Sequence, residues 1–309
     1  MLDVPVLIVG GGPVGLTASL LLSRLGVASL LVERHPGTSV HPKARSLNAR
    51  TMEVFRQCGV EAAVRAAGLA PERARLVLWA ASLAGRELER RVFLGSDPEA
   101  LALSPALGCL CAQDDLEPVL RAAAASAGPG TLRFGTELTA FAQEPAHVVA
   151  TLRGGGGDAR VRARYVVAAD GARSRVRDGL GIAMQGTPAI YRSVNVLLRA
   201  DLTPWVAHRP AALYFIEQPG LKATFLAING ASRWGFLVND LPLDAPVDAY
   251  GPERCVEIVR AAAGVPDLAV EILGIDPWTA AAQVAERYRG GRVFLAGDAA
   301  HHMPPTGGF

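Results

Sequence analysis

The pattern of apolar and polar residues at the start of the chain predicts a strand, a turn, a helix and a second strand. Residues 4–9 form a short and mostly β-branched run, and a glycine-rich segment at 10–15 follows directly. Residues 16–25 then keep helical spacing up to Gly26, after which residues 28–32 form another apolar run. This order of elements is typical of an α/β protein.

Three further helices are predicted in the rest of the chain. Residues 47–58 carry apolar side chains at helical spacing and end at Gly59, which is a common residue just after a helix. Asp114, followed three residues later by Glu117, has the form of a capping box and predicts a helix that runs from there to residue 127. Residues 253–263 predict a helix that ends before Gly264.

The remaining patterns predict strands. Residues 146–153 and 158–168 are extended runs around a glycine-rich turn, which predicts a hairpin. Residues 191–239 place apolar side chains on alternate positions, so one face of a sheet is predicted there. That face is either the packing surface of the sheet or a wall of a pocket for an aromatic substrate. Residues 293–296 predict a strand that leads into Gly297 and Asp298.

Composition and charge favour a globular protein with a small-molecule partner. The 309 residues are enough for one large domain or two interleaved ones, and half of them are hydrophobic. The net charge of +2 gives no reason to expect nucleic acid or an anionic membrane as partner. The apolar stretch at 2–32 lacks a basic start and is interrupted by glycines, unlike a signal peptide or a membrane span.

The four cysteines point to a reducing compartment. They are too few and too scattered for a disulfide scaffold, and Cys109 and Cys111 lack the spacing of a zinc site. We therefore expect buried thiols in a cytoplasmic protein. A homo-oligomer is compatible with these features.

The glycine-rich turn has the spacing of a dinucleotide site. Gly10 permits the tight turn, Gly12 lets a pyrophosphate approach the backbone, and Gly15 lets the helix pack closely on the strand. Glu33 lies eighteen residues after Gly15, near the spacing of an acid that accepts hydrogen bonds from a ribose. A glycine turn that only connects strand and helix is the alternative. The strand, helix and acid around the turn favour dinucleotide binding.

Two groups of charged residues are candidates for the same site. Asp170, Arg173 and Arg175 follow the predicted strand at 158–168, so they belong at the carboxyl edge of a sheet, where α/β proteins bind ligands. Solvated turn residues are the alternative, which we favour only for Arg173. Arg45 and Arg50, near a predicted helix start, are equally compatible with surface charges and with phosphate partners.

Together, three motifs resemble those of the flavin-dependent aromatic hydroxylases, the family typified by para-hydroxybenzoate hydroxylase. The first is the glycine turn with Glu33, the second is Asp170-Gly171 with Ser174 and Arg175, and the third is Gly297-Asp298 with residues 301–308. Residues 41–53 are most similar to the branch that contains phenol and dichlorophenol hydroxylases and the aromatic-polyketide hydroxylases.

The resemblance implies an α/β fold in which a Rossmann-like FAD-binding domain of the glutathione-reductase type is interleaved with a second domain. The FAD-binding domain would comprise residues 1–75, 100–178 and 276–309. The β-sheet-rich substrate domain would comprise residues 76–99 and 179–275. Family members continue beyond the segment at which this chain stops, so the resemblance also implies a chain truncated at its carboxyl end.

The resemblance also assigns residues to FAD. The glycine turn would hold the pyrophosphate and Glu33 the adenosine ribose, Asp298 would hold the ribityl hydroxyls, and Pro304 and Pro305 would flank the flavin ring. Arg34, Arg45 and Gln113 would contact the phosphate and ribityl region, and Asp170 and Arg175 would serve both FAD and the nicotinamide cofactor. The full cofactor-binding set is Gly10, Gly12, Pro13, Val14, Gly15, Glu33, Arg34, Arg45, Gln113, Asp170, Arg175, Gly297, Asp298, Pro305, Gly307 and Gly308.

The activity implied is that of an FAD-dependent monooxygenase that uses NADPH or NADH and O2. In the family, a flavin hydroperoxide passes one oxygen atom to an electron-rich ring, here a phenolic or polyketide substrate, so no catalytic side chain and no metal are expected. His301 and His302 are then loop residues. A truncated, catalytically silent flavin-binding module is the alternative, and the first motif alone is also compatible with an NAD-dependent dehydrogenase.

Overall fold

The computed structural model describes residues 1–92 and 102–305. In this part of the chain the strands, in chain order, are β1 (Leu2–Val9), β2 (Ser29–Glu33), β3 (Ser46–Leu47), β4 (Leu76–Ala80), β5 (Glu87–Val92), β6 (Cys109–Leu110), β7 (Thr131–Phe134), β8 (Glu137–Gln143), β9 (Val148–Gly154), β10 (Gly157–Ala168), β11 (Met184–Thr187), β12 (Arg192–Arg199), β13 (Leu213–Gln218), β14 (Leu221–Ala227), β15 (Arg233–Leu241), β16 (Glu271–Thr279), β17 (Ala282–Ala285), β18 (Arg289–Gly290), β19 (Val293–Leu295) and β20 (His301–His302). The α-helices are α1 (Pro13–Arg24), α2 (Ala49–Gln57), α3 (Glu61–Ala67), α4 (Pro71–Ala74), α5 (Gln113–Ser126), α6 (Arg175–Gly179), α7 (Thr203–Val206) and α8 (Pro252–Ala263).

The chain folds as two compact units that alternate along the sequence. Unit 1 comprises the described residues within Met1–Val40, Leu116–Pro188 and Ala282–Gly308. Unit 2 comprises those within His41–Asp115 and Ala189–Ala281. The α/β class and the interleaving of a sheet-rich unit with a Rossmann-like one agree with the expectation.

Unit 1 is built on a sheet whose central strands are parallel. Its order is β18-β19-β10-β1-β2-β7, and β7, β2, β1, β10 and β19 all run the same way. Strands β2 and β7 extend the sheet on one side of β1, and the later strands β10 and β19 extend it on the other side. The strand order therefore reverses beside β1. A crevice at the carboxyl ends of the strands is the usual ligand site at such a reversal.

The buried strands and one face of α1 form the core of unit 1. The second half of β1 is buried on both faces, and Leu7 and Ile8 are fully buried. Such continuous apolar runs are typical of parallel strands that are covered on both sides. Helix α1 buries Leu16 and Leu20, which are one turn apart, and its carboxyl end is followed by Gly26 in the left-handed region. A small sheet of order β11-β17-β20 completes the unit.

Unit 2 is built on a seven-stranded sheet of order β16-β12-β15-β14-β13-β4-β5, in which only the β13–β4 pair is parallel among the described strands. Large side chains on neighbouring strands form its core. Phe225 and Phe236 pack edge to face with ring centroids 4.8 Å apart, and Tyr214 and Trp234 are fully buried beside them. Each buried aromatic side chain of this kind contributes about 1.5–3 kcal/mol of hydrophobic stabilisation.

The structure departs from the sequence expectation at several boundaries. Helix α1 begins at Pro13, three residues before the predicted start, because a proline is well suited to the first helical position. Residues 41–75 and 102–115, which we expected in the FAD-binding domain, belong to unit 2. There, Leu69 and Leu110 pack into its core and β3 pairs with β6. The functional roles of the two units stay predictions.

The expected capping box at the start of α5 is wrong. The helix begins at Gln113, so Asp114 lies inside it. Arg233 forms ion pairs with both Asp114 and Asp115, within unit 2. Burial raises the pKa of Asp115 and lowers the pKa of Arg233. The Glu117 carboxylate accepts a hydrogen bond from Ser39 N–H (2.6 Å), which is seventy-eight residues away in sequence.

Within residues 1–92 and 102–305, no helix has both the length and the apolar character that crossing a bilayer requires. All four cysteines are free thiols. Cys111 and Cys255 are buried, as expected, whereas Cys58 and Cys109 are partly exposed. Burial raises the pKa of Cys111 to about 12, so its thiol is protonated and unreactive at neutral pH.

Candidate functional site

Three parallel strands of unit 1 end side by side and deliver three sequence motifs to one edge of the sheet. Val9 at the end of β1 is paired with Ala168 at the end of β10, and Ala168 is paired with Leu295 at the end of β19. Backbone hydrogen bonds continue just past these ends, from Ala169 N–H to the Val9 carbonyl (2.8 Å) and from Ala296 N–H to the Ala168 carbonyl (2.9 Å). The glycine turn, Asp170 and Gly297 therefore emerge from neighbouring strands.

Two glycines of the turn are required by the fold itself. Gly10 has a φ of +109°, and a Cβ there would lie 2.2 Å from the Ala169 carbonyl oxygen. A Cβ on Gly15 would lie 1.9 Å from the Gly10 carbonyl oxygen. Both distances are far below a van der Waals contact and involve backbone atoms, which cannot rotate away. These two positions let the strand, turn and helix pack closely, as the sequence predicted.

Gly12 differs, because the space beside it is open. It precedes the first turn of α1 with an ordinary extended backbone (φ −75°, ψ −174°), and a Cβ there would have the Glu117 carboxylate as its nearest neighbour, at 3.9 Å. The fold therefore does not require glycine at this position. The site fits a ligand that approaches the backbone at the start of α1, where the helix dipole and the amides favour an anion.

Asp298 directly follows Gly297, which packs closely against the glycine turn. Gly297 has a φ of +61°, and a Cβ on it would lie 2.7 Å from Val14 Cγ2 at the start of α1. The next residue, Asp298, is exposed in a short 3-10 turn, Gly297–Ala299. The first and last motifs of the chain, nearly three hundred residues apart in sequence, are thus neighbours in unit 1.

Glu33 is bonded to the glycine turn. Its Oε2 accepts a hydrogen bond from Gly11 N–H (2.7 Å), and its Oε1 accepts one from His35 N–H (2.8 Å). A carboxylate oxygen has two lone pairs, so each can still accept a bond from a ribose hydroxyl. Arg34, beside it, is exposed, and its Nε donates to the imidazole of His35 (3.2 Å).

Asp170 bonds to the first turn of helix α6, whose N-cap is Ser174. Its Oδ1 accepts from the Ser174 hydroxyl (2.6 Å) and its Oδ2 from Val176 N–H (3.2 Å), while Ser174 Oγ accepts from Arg177 N–H (3.0 Å). The exposed Arg175 forms an ion pair with Glu137 at 2.5 Å. These bonds give Asp170 and Arg175 structural partners in unit 1, and their contact with a cofactor stays a prediction.

Two buried charged residues near this edge, Arg177 and Glu117, were not among the predicted site residues. Arg177 donates to the carbonyls of Ala172 (3.2 Å) and Ala299 (3.4 Å), so it links α6 to the turn that contains Asp298. Glu117 faces Gly12. A charged residue at a core-facing position of a helix is the signal that could have identified each of them, since burial of an unpaired charge is costly.

Arg45 and Gln113 lie in unit 2. The Arg45 side chain is buried and donates to the carbonyls of Ala227 (2.8 Å) and Ala212 (2.7 Å). Burial lowers its pKa to about 10, so it remains charged at neutral pH. Gln113 begins α5, and its backbone N–H donates hydrogen bonds to the carbonyls of Pro42 (3.1 Å) and Ala44 (2.9 Å). The predicted contacts of both residues with FAD stay predictions.

We expect Arg45→Lys to lower the free energy of unfolding by about 2 kcal/mol, because an ammonium cannot reproduce the fork that reaches both carbonyls. Urea denaturation measures the effect. Arg50→Lys is the matched control, since Arg50 is exposed and forms an ion pair with Glu53 one turn away, and we expect a change within about 0.5 kcal/mol. Equal midpoints for the two variants would contradict the structural role of Arg45.

The final segment is described only in part. His301 and His302, expected in a loop, form strand β20, which pairs with Val284 and Gln283 of β17. Pro304 and Pro305 follow the strand. Gly307 and Gly308, which the resemblance assigns to the flavin, lie outside the described residues.

Comparison with known proteins agrees with this arrangement. A family model described as "FAD binding domain" matches residues 3–309. The chain belongs to this family. It is 46% identical over 312 residues to a putative polyketide hydroxylase of Streptomyces halstedii, a match that covers 99% of this chain and 56% of the relative. The resemblance to the flavin-dependent aromatic hydroxylases is thereby confirmed.

Solved structures of flavin enzymes share the fold of the chain. The flavin-dependent monooxygenase PieE, in complex with FAD and substrate, matches with a TM-score of 0.91 and 39% identity over 98% of this chain and 54% of that one. Aklavinone-11 hydroxylase, in a ternary complex with FAD and aklavinone, matches with a TM-score of 0.88 and 38% identity over 99% of this chain and 59% of that one. The chain spans about half the length of the relatives and structures that it matches.

Proposed function

We propose that the chain binds FAD at the carboxyl edge of the unit 1 sheet and serves the hydroxylation of an aromatic substrate with NADPH or NADH and O2. The observation that carries the proposal is the contact of Gly297 with Val14, beside the open space at Gly12. It supports one elongated ligand that runs from the start of α1 to the Asp298 turn. Family membership supports FAD as that ligand.

Different residues of unit 1 would bind different parts of FAD. The amides at the start of α1 would hold the pyrophosphate, since they lie at the positive end of the helix dipole. Glu33 would accept hydrogen bonds from the adenosine ribose, and Asp298 from the ribityl hydroxyls. FAD, once bound, supplies the oxygen-transfer chemistry, while the protein orients the ring and excludes water.

The class of substrate rests on the relatives. The Streptomyces halstedii relative is called a putative polyketide hydroxylase, and the matched ternary complex contains aklavinone. A phenolic or polyketide aromatic ring is therefore the substrate class we propose for the protein. The cytoplasmic location and a homo-oligomeric state remain part of the same proposal.

Substrate-dependent oxidation of the nicotinamide tests the function. The purified chain is loaded with FAD and mixed with NADPH or NADH, O2 and a panel of phenols and aromatic polyketides, aklavinone among them. Substrate-dependent consumption of the nicotinamide and a hydroxylated product are expected. A yellow protein that gives neither would favour the catalytically silent flavin-binding module, and a colourless protein that releases NAD on heating would contradict the proposal.

We expect Asp298→Ala to weaken FAD binding by about tenfold while leaving the fold intact, because an exposed acceptor of ligand hydroxyls is lost. The dissociation constant is measured by the quenching of flavin fluorescence, and thermal melts check the fold. Asp3→Ala is the matched control, since Asp3 is exposed at the amino end of β1, and it should bind FAD as the parent does. Parental affinity in Asp298→Ala would refute the role.

A further inference from the structure

Glu117 is a buried acid at the phosphate-binding end of unit 1. It lies in the first turns of α5 and is 3% exposed. Carboxylates are seldom buried unless hydrogen bonds compensate for the loss of water. Glu117 belongs to none of the three sequence motifs and has no role in the FAD binding proposed above.

The contacts of this carboxylate join two parts of unit 1. Its Oε2 accepts a hydrogen bond from Ser39 N–H at 2.6 Å, across seventy-eight residues of sequence. Its Oε1 lies 3.9 Å from the point that a Cβ on Gly12 would occupy. One side chain therefore reaches both the segment 34–40, which follows β2, and the turn at the start of α1.

The hydrogen bond between Ser39 and Glu117 lies where the chain leaves unit 1 and where it returns. The chain leaves unit 1 after Val40 and returns to it at Leu116. Ser39 and Glu117 are each one residue inside these crossings. Their hydrogen bond thus fixes the end of one segment of unit 1 to the start of the next, directly beside Gly12.

The charge of Glu117 cannot be what attracts a pyrophosphate. A carboxylate and a diphosphate are both negative, and at close range in a partly buried site they repel each other. What the side chain offers is an acceptor of fixed geometry for the Ser39 amide. The neutral amide of glutamine offers the same acceptor and adds an N–H donor that can face a phosphate oxygen.

We propose that Glu117 is a positioning residue for the pyrophosphate site, which holds the segment 34–40 against the phosphate-binding turn through its bond to Ser39. The inference rests on the proposed binding of FAD in unit 1. It assigns the contribution of Glu117 to hydrogen-bond geometry and not to charge.

Two substitutions separate geometry from charge. Glu117→Gln keeps the acceptor, so it should bind FAD at least as tightly as the parent, with a gain of up to about tenfold from the relief of repulsion. Glu117→Ala removes the acceptor and should weaken FAD binding by about ten- to a hundredfold. Glu144→Ala is the matched control, because Glu144 is half-exposed, bonds locally to His147, and should change nothing.

Amide hydrogen exchange of residues 34–40 in the flavin-free chain gives a second readout. Glu117→Ala should exchange faster in this segment, whereas Glu117→Gln and Glu144→Ala should match the parent. Weak FAD binding or fast exchange in Glu117→Gln would overturn the proposal, and so would parental behaviour in Glu117→Ala. If Glu117→Ala does not fold, the glutamine variant decides.

The failure of the inference is distinct from the failure of the proposed function. A parent chain that does not bind FAD overturns both, since no pyrophosphate site then exists. A parent chain that binds FAD, together with a glutamine variant that does not, overturns only the positioning role and shows that the negative charge itself is needed.

Discussion

Gly12→Val should reduce FAD affinity by about a hundredfold or more while the chain remains folded. The backbone at Gly12 is extended and suits a β-branched residue. Among the residues that the structure describes, the nearest atom to a Cβ there is an oxygen of the Glu117 carboxylate at 3.9 Å. The added side chain would instead occupy the space in which the pyrophosphate approaches the amides of α1. Titration of the flavin-free chain with FAD gives the dissociation constant, and urea denaturation checks the fold.

The control for Gly12→Val is another glycine with open surroundings. Gly155 lies in the turn between β9 and β10, and a Cβ there would meet no atom of the described residues within 4 Å. Gly155→Val should bind FAD as tightly as the parent. Equal FAD affinity in both variants would mean that the cofactor does not approach the chain at the glycine turn.

Gly15→Ala should destabilise the fold by about 3 kcal/mol or more, or prevent the accumulation of folded protein. The new Cβ would lie 1.9 Å from the Gly10 carbonyl oxygen and 3.1 Å from its carbon. Both are backbone atoms between a central strand and α1, so relief requires the helix to move off the sheet. Urea denaturation of the flavin-free chain measures the loss without any contribution from the cofactor.

Gly12→Ala is the internal comparison for Gly15→Ala, because the same methyl group is added three residues earlier in an open position. It should unfold at nearly the parental urea concentration. Stability should therefore be lost at Gly15 and kept at Gly12, where the larger substitution Gly12→Val instead costs FAD binding. A stable Gly15→Ala would mean that the close packing of strand and helix is not what requires glycine there.

Local sequence patterns were sufficient for the elements that hold the first and last motifs. The glycine spacing, the β-branched run before it and the helix after it are all local signals, so β1, the turn and α1 could be predicted. The position of Glu33 could also be predicted from its spacing to the glycine turn, because it lies at the end of the next strand. The alignment of β1, β10 and β19 required only the rule that parallel strands end at one edge.

Contacts between distant residues were beyond the reach of these patterns. The prediction of a capping box at α5 was wrong because both carboxylates have distant partners. Arg233 forms an ion pair with Asp114, and Ser39 N–H donates to Glu117. Arg45 was expected at the surface or at a phosphate, yet it donates to the carbonyls of Ala227, at the end of β14, and Ala212, just before β13. No local pattern reveals these partners. Strand β16 was missed because, at the edge of the unit 2 sheet, it tolerates Pro277 and shows no regular alternation.

An experimental structure of the chain with FAD bound tests most directly whether one cofactor spans the glycine turn and the Asp298 turn. We expect the pyrophosphate within hydrogen-bond distance of the amides at the start of α1, and the ribityl hydroxyls at the Asp298 carboxylate. A structure in which FAD lies elsewhere, with neither the glycine turn nor Asp298 in contact with it, would rule out the proposed FAD site.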